Sequence, residues 1–275
     1  MAYRVIVVGL GNQGENWVKA VLNDPDIEYA AFVEVNEQRL EEIREKYSLS
    51  KSQMYTDVEQ AIKESDAHFL VDVTPPKLHE KISSLAFDRG LHVLGEKPIA
   101  HDLSSAKNII RKSNEANCLY MVSQNYRFHP LARTTRRLID EGKIDKPEYA
   151  DIAYFRGRKF PSHLYYNWID YPLITDMSIH HFDLMRYLLK ADPVSVYAVS
   201  RNPSWSWYKG DVALSAVLQF EGDVDVTYHA SWCSTGKQTT LHGDWRIEGK
   251  DGALVWDQDE LTYYVGDTTQ MNQEK

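Results

Sequence analysis

The sequence is poor in cysteine, carries no excess of positive charge and contains no long apolar run. Its two cysteines, Cys118 and Cys233, stand far apart in 275 residues, which excludes a disulfide framework and indicates buried thiols in a reducing compartment. A formal net charge of -9 argues against a nucleic-acid partner, because such a partner requires a basic surface. No stretch approaches the length of a membrane span, and the first residues do not resemble a signal peptide. We therefore expect a cytoplasmic protein without a membrane or nucleic-acid partner.

A strand, a glycine turn and a helical pattern follow one another at the start of the chain. The apolar run Tyr3–Val8 leads into Gly9-Leu-Gly-Asn-Gln-Gly14, and helical periodicity begins at Glu15. In this context the pattern G-x-G-x-x-G is typical of a dinucleotide-binding turn. The first glycine permits the tight turn, the second lets the backbone approach a pyrophosphate, and the third lets the helix pack against the strand. We predict that the phosphate-binding residues are Gly9, Gly11, Asn12, Gln13 and Gly14.

An acidic residue about 20 positions after such a turn binds the adenosine ribose. Glu34 lies at this distance, at the end of the second predicted strand. Its carboxylate can accept both ribose hydroxyls and would repel a 2′-phosphate, while Val35 adds no positive charge. NAD is therefore the predicted cofactor. Arg39, one helical turn further along, keeps NADP open as an alternative.

Strands and helices alternate through the first half of the chain, which predicts a parallel sheet with right-handed crossovers. Ligands of such sheets bind beyond the carboxyl ends of the strands. The glycine turn, Thr74–Pro76 and Glu96–Pro98 each follow a predicted strand, so they should face one cleft. We assign residues 1–124 to a Rossmann domain.

From residue 125 to residue 275 the pattern changes to short alternating segments. Val212–Phe220 and Val224–Trp232 alternate apolar with other side chains, and Gly222-Asp223 between them predicts a hairpin turn. A helix is predicted over Leu131–Glu141, and beyond it strong helical periodicity is confined to Ser178–Leu189. This predicts an α+β domain with a mostly antiparallel open sheet. Helices should cover one face, and the aromatic residues suggest that the other face pairs with a second copy of the chain.

Two stretches carry side chains suited to redox chemistry. Lys97 follows a strand on the cofactor side, where its ammonium can donate to a substrate hydroxyl or a ribose, although such lysines are more often simply solvated. Asp176 and His180 are spaced i, i+4 and share a helix face if the helix begins by Asp176. A histidine held by an acid can take a proton from an alcohol while hydride leaves the same carbon. The alternative is an aspartate favoured by the helix dipole beside a packed histidine.

A metal ion is another explanation for the acids and histidines of this helix. Asp176, His180 and Asp183, together with His129, are acceptable ligand types. Their spacing matches no zinc pattern, however, and no cysteine ligand lies nearby. We therefore predict no metal.

Basic and aromatic residues of the second half offer contacts for a substrate. Arg156, Arg158 and Lys159 follow a predicted strand, and the aromatic stretch 165–168 precedes the Asp176 helix. Sugars stack on aromatic faces, which makes Trp168 a predicted substrate contact, and arginines can bind a carboxylate or phosphate. A solvated charge run beside packed aromatic residues explains the same pattern without any ligand.

Taken in order, these motifs resemble the Gfo/Idh/MocA oxidoreductases, named for glucose-fructose oxidoreductase and inositol dehydrogenase. The resemblance runs from about Tyr3 to Val265. It implies NAD(P)-dependent oxidation of a hydroxyl on a sugar, cyclitol or related polyol, often by an oligomer (a dimer or tetramer). The motifs that carry it are the glycine turn, Glu34, Thr74-Pro75 with His79, Glu96-Lys97-Pro98, Asn125-Tyr126-Arg127-Phe128 and Asp176–Asp183.

The resemblance also implies individual roles. Lys97 would be the active-site lysine, with Asp176 and His180 as the second-domain pair. The further residues it implies for the cofactor cleft are Thr74, Pro75, His79 and Glu96, and those for the substrate are Tyr126 and Arg127.

The sequence departs from the family pattern in two places, and two rival functions are compatible with part of it. Ser178 stands where the family commonly has glycine, and relatives usually continue beyond the position of Lys275. One rival is a non-catalytic NAD-binding sensor with the same fold. The other is a methyltransferase, which also places an acid after the second strand but gives Lys97 and His180 no role.

Overall fold

The computed structural model describes residues 2–161 and 164–266, apart from the side chain of Tyr165. The chain divides into two units, Met1–Ser123 and Gln124–Lys275, and the predicted boundary falls one residue later. Within the described residues, no helix is both long enough and apolar enough to cross a membrane.

The first unit alternates strands and helices, as its periodicity predicts. Its strands form one six-stranded parallel sheet in the order β3-β2-β1-β4-β5-β6, which confirms the predicted Rossmann fold. The order reverses between β1 and β4, and ligands bind at such a switch point. The elements are β1 Tyr3–Val8, α1 Asn12–Asn23, β2 Ile27–Val33, α2 Glu37–Lys46, β3 Met54–Tyr55, α3 Val58–Glu64, β4 Phe69–Asp72, α4 His79–Phe87, β5 His92–Gly95, α5 Leu103–Glu115 and β6 Tyr120–Val122.

Side-chain caps fix where several of these helices begin. Asn36, Asp57 and Asp102 each accept a hydrogen bond from the backbone N–H three residues further on, at the starts of α2, α3 and α5. The central strand β1 is buried on both faces, with Ile6 and Val8 in one apolar cluster and Val5 and Val7 in the other. This burial explains why its sequence is continuously apolar instead of alternating.

The second unit is built on a seven-stranded sheet in the order β13-β12-β11-β7-β10-β9-β8. Neighbouring strands are antiparallel except β7 and β10, which run parallel at the centre. This confirms the mostly antiparallel sheet, although the sequence did not predict the central place of β7. The elements are α6 Pro130–Asp140, β7 Pro147–Phe155, a π-helical turn Leu173–Ser178, α7 Ile179–Leu189, β8 Pro193–Arg201, β9 Ala213–Phe220, β10 Val224–Ser231, β11 Asp244–Gly249, β12 Gly252–Asp257 and β13 Glu260–Val265.

The two faces of this sheet differ as expected. On the inner face, side chains such as Tyr228 and Phe220 pack with Leu184 and Leu188 of α7 in one buried cluster. On the outer face, large apolar side chains remain exposed. The most exposed of these are Tyr197 (74%), Tyr264 (56%), Val217 (52%) and Tyr149 (39%). Pairing of this face with a second copy stays a prediction.

Candidate functional site

The glycine turn after β1 has no room for side chains at two positions. Gly9 adopts a φ of +91°, and a Cβ there would lie 2.8 Å from the carbonyl oxygen of Val73. A Cβ on Gly14 would lie 1.9 Å from the carbonyl oxygen of Gly9. A Cβ on Gly11, by contrast, would meet no atom within 4 Å. The turn is therefore tight against β4 and α1 but open beside Gly11.

The N-terminus of α1 is open as well. Gly11 precedes the helix without a side-chain cap, and Asn12 and Gln13 are exposed in its first turn. Unsatisfied N–H groups and the positive end of the helix dipole together favour an anion at this position. These residues fit the pyrophosphate of a dinucleotide.

Glu34 lies beside this turn at the end of β2. Its Oε2 accepts a hydrogen bond of 2.8 Å from the Leu10 amide, and its Oε1 accepts one of 3.0 Å from the Asn36 amide. A carboxylate has about four lone pairs, so each oxygen can still accept a ribose hydroxyl. The two amides thus fix the orientation of the carboxylate beside the turn, and its contact with a ribose stays a prediction.

Arg39 is occupied by protein groups. Its Nε donates to the carbonyl of Leu10 at 2.8 Å, and its Nη2 donates to Glu15 at 2.7 Å. Glu15 also accepts bonds from Lys46 and Tyr47, and these contacts, that of Lys46 foremost, lower the pKa of Glu15 to about 2. The charge of Arg39 is therefore compensated by Glu15, which disfavours its use for a 2′-phosphate.

Glu15→Gln should accordingly shift cofactor preference towards NADP. Loss of the carboxylate leaves the guanidinium of Arg39 uncompensated, and a partly exposed ion pair of about 1 kcal/mol corresponds to a shift of roughly fivefold in the ratio of dissociation constants. Fluorescence titration with NADH and NADPH measures this ratio. Glu42→Gln is the matched control, because Glu42 is half-exposed and lies 3.4 Å from Arg39. A shift as large in Glu42→Gln would contradict the assignment to Glu15.

His79 joins two of the loops that follow strands. It is fully buried, with Nε2 at 2.8 Å from the carbonyl oxygen of Thr74 and Nδ1 at 3.1 Å from that of Pro98. Thr74 is held further by Asp72, which accepts from its hydroxyl at 2.6 Å and whose pKa burial raises. Pro75 is exposed. The structure thus gives His79 a positioning role, and its predicted contact with cofactor stays a prediction.

Glu96 anchors the loop that carries Lys97. Its side chain is 8% exposed and accepts hydrogen bonds from Trp17 Nε1 at 2.9 Å, Gln13 Nε2 at 3.3 Å and the Lys97 amide at 3.2 Å. The Lys97–Pro98 peptide bond is cis, and Lys97 is half-buried. The first turn of α1 and the Lys97 loop are therefore tied to the same carboxylate.

In the second unit, Asp176 and His180 are both nearly buried, at 6% exposure each. Asp176 lies in the π-helical turn and His180 in the first turn of α7. The helix therefore begins before Asp176, as the prediction requires, but the wider π turn replaces the 3.6-residue period on which the shared face was argued. The ring of His180 stacks on Tyr126 with centroids 4.4 Å apart.

The adjacent histidines His180 and His181 have different surroundings. His181 is fully buried, its Nδ1 lies 2.8 Å from the hydroxyl of Tyr228, and that hydroxyl donates to Ser178 Oγ at 3.0 Å. Burial lowers the pKa of His181 to about 3, which keeps it neutral. Ser178, at the position where the family commonly has glycine, is thus a partner of Tyr228.

Arg127 and Asp183 form an ion pair. Arg127 Nε donates to Asp183 Oδ2 at 2.9 Å, a second bond joins Nη2 to Oδ1, and the guanidinium lies 5.4 Å from the Tyr187 ring centroid. This pairing ties the segment before α6 to α7. The structure thus gives Arg127 and Asp183 a structural role, and contact of Arg127 with substrate stays a prediction.

A cavity of about 660 Å³ opens beside Trp168. Trp168 is 60% exposed, and Lys209 Nζ lies 3.9 Å from its ring centroid. Sequence patterns do not identify Trp207 and Lys209 as candidate site residues, because both lie in the β8–β9 connection and belong to no local motif. Of the predicted basic run, Lys159 reaches this cavity. The described residues that line it are Lys159, Phe160, Pro161, Asn167, Trp168, Trp207 and Lys209.

The other two basic residues have partners in the protein. Arg156 donates to the carbonyl of Thr239 at 2.9 Å, and the guanidinium of Arg158 lies 4.5 Å from the Phe160 ring centroid. Both positive charges act on Tyr126, whose pKa is nevertheless raised, chiefly by burial. Arg156 is therefore half-buried and bonded to the backbone, whereas Arg158 and Lys159 are exposed.

Comparison with known proteins matches both units. Residues 3–124 match the oxidoreductase family with an NAD-binding Rossmann fold, and residues 132–255 match the GFO/IDH/MocA C-terminal domain. An uncharacterized protein of Sinorhizobium fredii is 29% identical over 96% of this chain and 75% of its own length. An inositol 2-dehydrogenase of Rhizobium meliloti is 27% identical over 93% and 76%, respectively. The crystal structure of an Agrobacterium radiobacter oxidoreductase, in complex with NAD+, L-tartaric acid and magnesium, superposes with a TM-score of 0.87 at 18% identity, covering 100% of this chain and 82% of that one.

Proposed function

Since this chain belongs to the GFO/IDH/MocA family of NAD-binding oxidoreductases, we propose that it transfers hydride between NAD and a hydroxyl carbon of a sugar, cyclitol or related polyol. The observation that carries the proposal is the near-complete burial of Asp176 and His180, 6% exposed each, at the start of α7. Ionisable groups are rarely buried to this extent outside functional or paired sites. Family membership also removes the methyltransferase alternative.

The residues of the first unit would hold the cofactor. The open N-terminus of α1 binds the pyrophosphate, and Glu34 accepts the hydroxyls of the adenosine ribose. The cofactor, when bound, accepts the hydride. The Glu96 anchor fixes the start of the Lys97 loop relative to the phosphate site, so Lys97 can present its ammonium to the reacting hydroxyl.

The remaining chemistry is a proton transfer. During oxidation the C–H bond breaks as hydride, and the hydroxyl proton passes to the neutral imidazole of His180. Lys97 stabilises the negative charge that develops on the oxygen, and Asp176 favours the imidazolium form of His180. In the reverse direction His180 returns the proton to the carbonyl oxygen.

The cavity beside Trp168 supports a more specific substrate class. Lys159 and Lys209 contribute two positive charges to the cavity, no acid occurs among its described lining residues, and Trp168 and Trp207 present aromatic rings. Aromatic faces suit a sugar ring, and ammonium groups suit a carboxylate or phosphate. We therefore favour an acidic sugar or polyol over a neutral one.

A substrate screen tests both levels of the proposal. With NAD present, a panel of neutral sugars, inositols and sugar acids should yield NADH, read by absorbance, with lower KM for the acids. Lys209→Met should raise KM for an acidic substrate severalfold and leave KM for its neutral analogue unchanged. Equal KM values for acids and neutral analogues would contradict the preference for acidic substrates but not the proposed oxidoreductase activity. NAD binding without turnover of any member would favour the non-catalytic sensor.

A further inference from the structure

Three side chains at one end of the seven-stranded sheet form a histidine–aspartate cluster: His129, His242 and Asp259. Among residues 2–161 and 164–266, this is the group of three potential ligands whose donor atoms all lie within 4.8 Å of one another. His129 precedes α6, His242 lies between β10 and β11, and Asp259 lies in the β12–β13 turn. The cluster therefore brings together three segments that are distant in the sequence.

Surrounding groups hold the three side chains in place. His242 Nδ1 lies 3.0 Å from Asp259 Oδ1, and the same oxygen accepts a bond of 3.0 Å from Thr240 Oγ1. The rings of His129 and His242 lie 4.0 Å apart, and His129 stacks on Trp256 at 5.5 Å and 11°. This arrangement orients the ligands before any ion binds, which lowers the cost of ordering them.

The chemistry of the cluster selects a class of ion. Two imidazoles and one carboxylate suit zinc and other divalent transition metals, whereas magnesium and calcium prefer ligand sets made of oxygen. Three protein ligands also leave room for water as a fourth, as in other three-ligand zinc sites.

We propose that His129, His242 and Asp259 bind a divalent transition-metal ion of the zinc type. The site shares no residue with the Asp176 and His180 pair. The metal proposal therefore does not rest on the proposed reaction. The ion would join the start of α6 to the β10–β11 and β12–β13 connections. Because Tyr126 contacts both His242, at 4.8 Å, and His180, at 4.4 Å between ring centroids, the ion would also fix one neighbour of the stacked Tyr126–His180 pair.

Calorimetric titration of the full chain with zinc chloride tests the proposal, after removal of any affinity tag and treatment with a chelator. We expect one zinc ion per chain and a rise in Tm with zinc. His129→Ala and His242→Ala should each weaken binding by at least about 100-fold, since even partners outside the ligand shell are worth 10–100-fold. Asp259→Asn, an isosteric change at a half-exposed side chain, should weaken it without affecting folding. Magnesium should not compete.

His101→Ala is the matched control, because His101 also pairs with an aspartate, Asp102 at 2.9 Å, but belongs to no group of three ligands in the described part of the chain. This variant should bind zinc as the unchanged protein does. Binding that survives in His129→Ala, His242→Ala and Asp259→Asn would overturn the proposal. So would the absence of zinc binding by the unchanged protein, or binding lost only in Asp176→Asn. Far-UV circular dichroism separates lost ligands from lost folding.

Discussion

His180→Ala is expected to reduce kcat by about 10²- to 10⁴-fold, the range typical of removing a general acid or base. NADH affinity should change little, because His180 belongs to the second unit and the predicted cofactor contacts belong to the first. Steady-state kinetics on the substrate found by the screen, together with NADH titration, measures both quantities. His180→Gln is the second variant, since it keeps a polar group of similar size beside Tyr126.

Lys97→Met should lower kcat by about 10²- to 10³-fold, because it removes a donor to the developing oxyanion while keeping the length of the side chain. His68→Ala is the control, since His68 is exposed and its Nδ1 accepts from the Arg4 amide near the amino end of β4. It should retain the activity of the unchanged enzyme. Full activity in both His180→Gln and Lys97→Met would refute the assigned mechanism.

Gly14→Ala is expected to abolish NAD binding and to destabilise the first unit. Its Cβ would lie 1.9 Å from the Gly9 carbonyl oxygen and 2.8 Å from the carbonyl carbon, so backbone atoms must move. Overpacking of this kind costs about 1–3 kcal/mol, and more where the backbone cannot yield. Chemical denaturation and calorimetric titration with NAD measure the two effects.

Gly11→Ala provides the contrasting result. Its Cβ meets no protein atom within 4 Å and its φ is -62°, so the free energy of unfolding should stay nearly unchanged. NAD affinity should fall nonetheless, because the added methyl group occupies the open space assigned to the pyrophosphate. Gly236→Ala, at an exposed glycine with equally open surroundings, should change neither quantity. Equal stability of Gly14→Ala and Gly11→Ala would contradict the packing argument.

Local patterns made much of the fold predictable. The glycine turn and the strand-helix alternation involve residues a few positions apart, so the sequence predicts them directly. The hairpin over Gly222 and Asp223 was confirmed for the same reason, with φ values of +79° and +61° at the two residues. The parallel pairing of β7 with β10 joins segments that are distant in the sequence, and no local pattern predicts it.

The less predictable parts of the site depend on tertiary packing. The neutralisation of Arg39 by Glu15 arises where α2 meets α1, and no spacing rule connects the two residues. The π turn places Asp176 off the regular helical period, and Ser178 within it contacts Tyr228 on a distant strand. His242 is likewise an isolated histidine in the sequence, and its proximity to His129 depends on how α6 packs beside the strands at this end of the sheet.

In acid, the contact of α2 with the glycine turn depends on one carboxylate, that of Glu15. The bonds that Glu15 accepts, first from Lys46 and then from Arg39, lower its pKa from 4.5 to about 2, so it stays ionised in the folded chain where the unfolded chain takes up a proton. Its stabilising contribution is therefore complete above pH 4.5 and is lost as the pH falls towards 2. Arg39 also binds the Leu10 carbonyl, so we expect the turn to open as the pH falls from 4.5 towards 2, before the buried sheet does. If amide exchange at Leu10 had the same pH dependence in Glu15→Gln as in the unchanged protein, the result would argue against this role of Glu15.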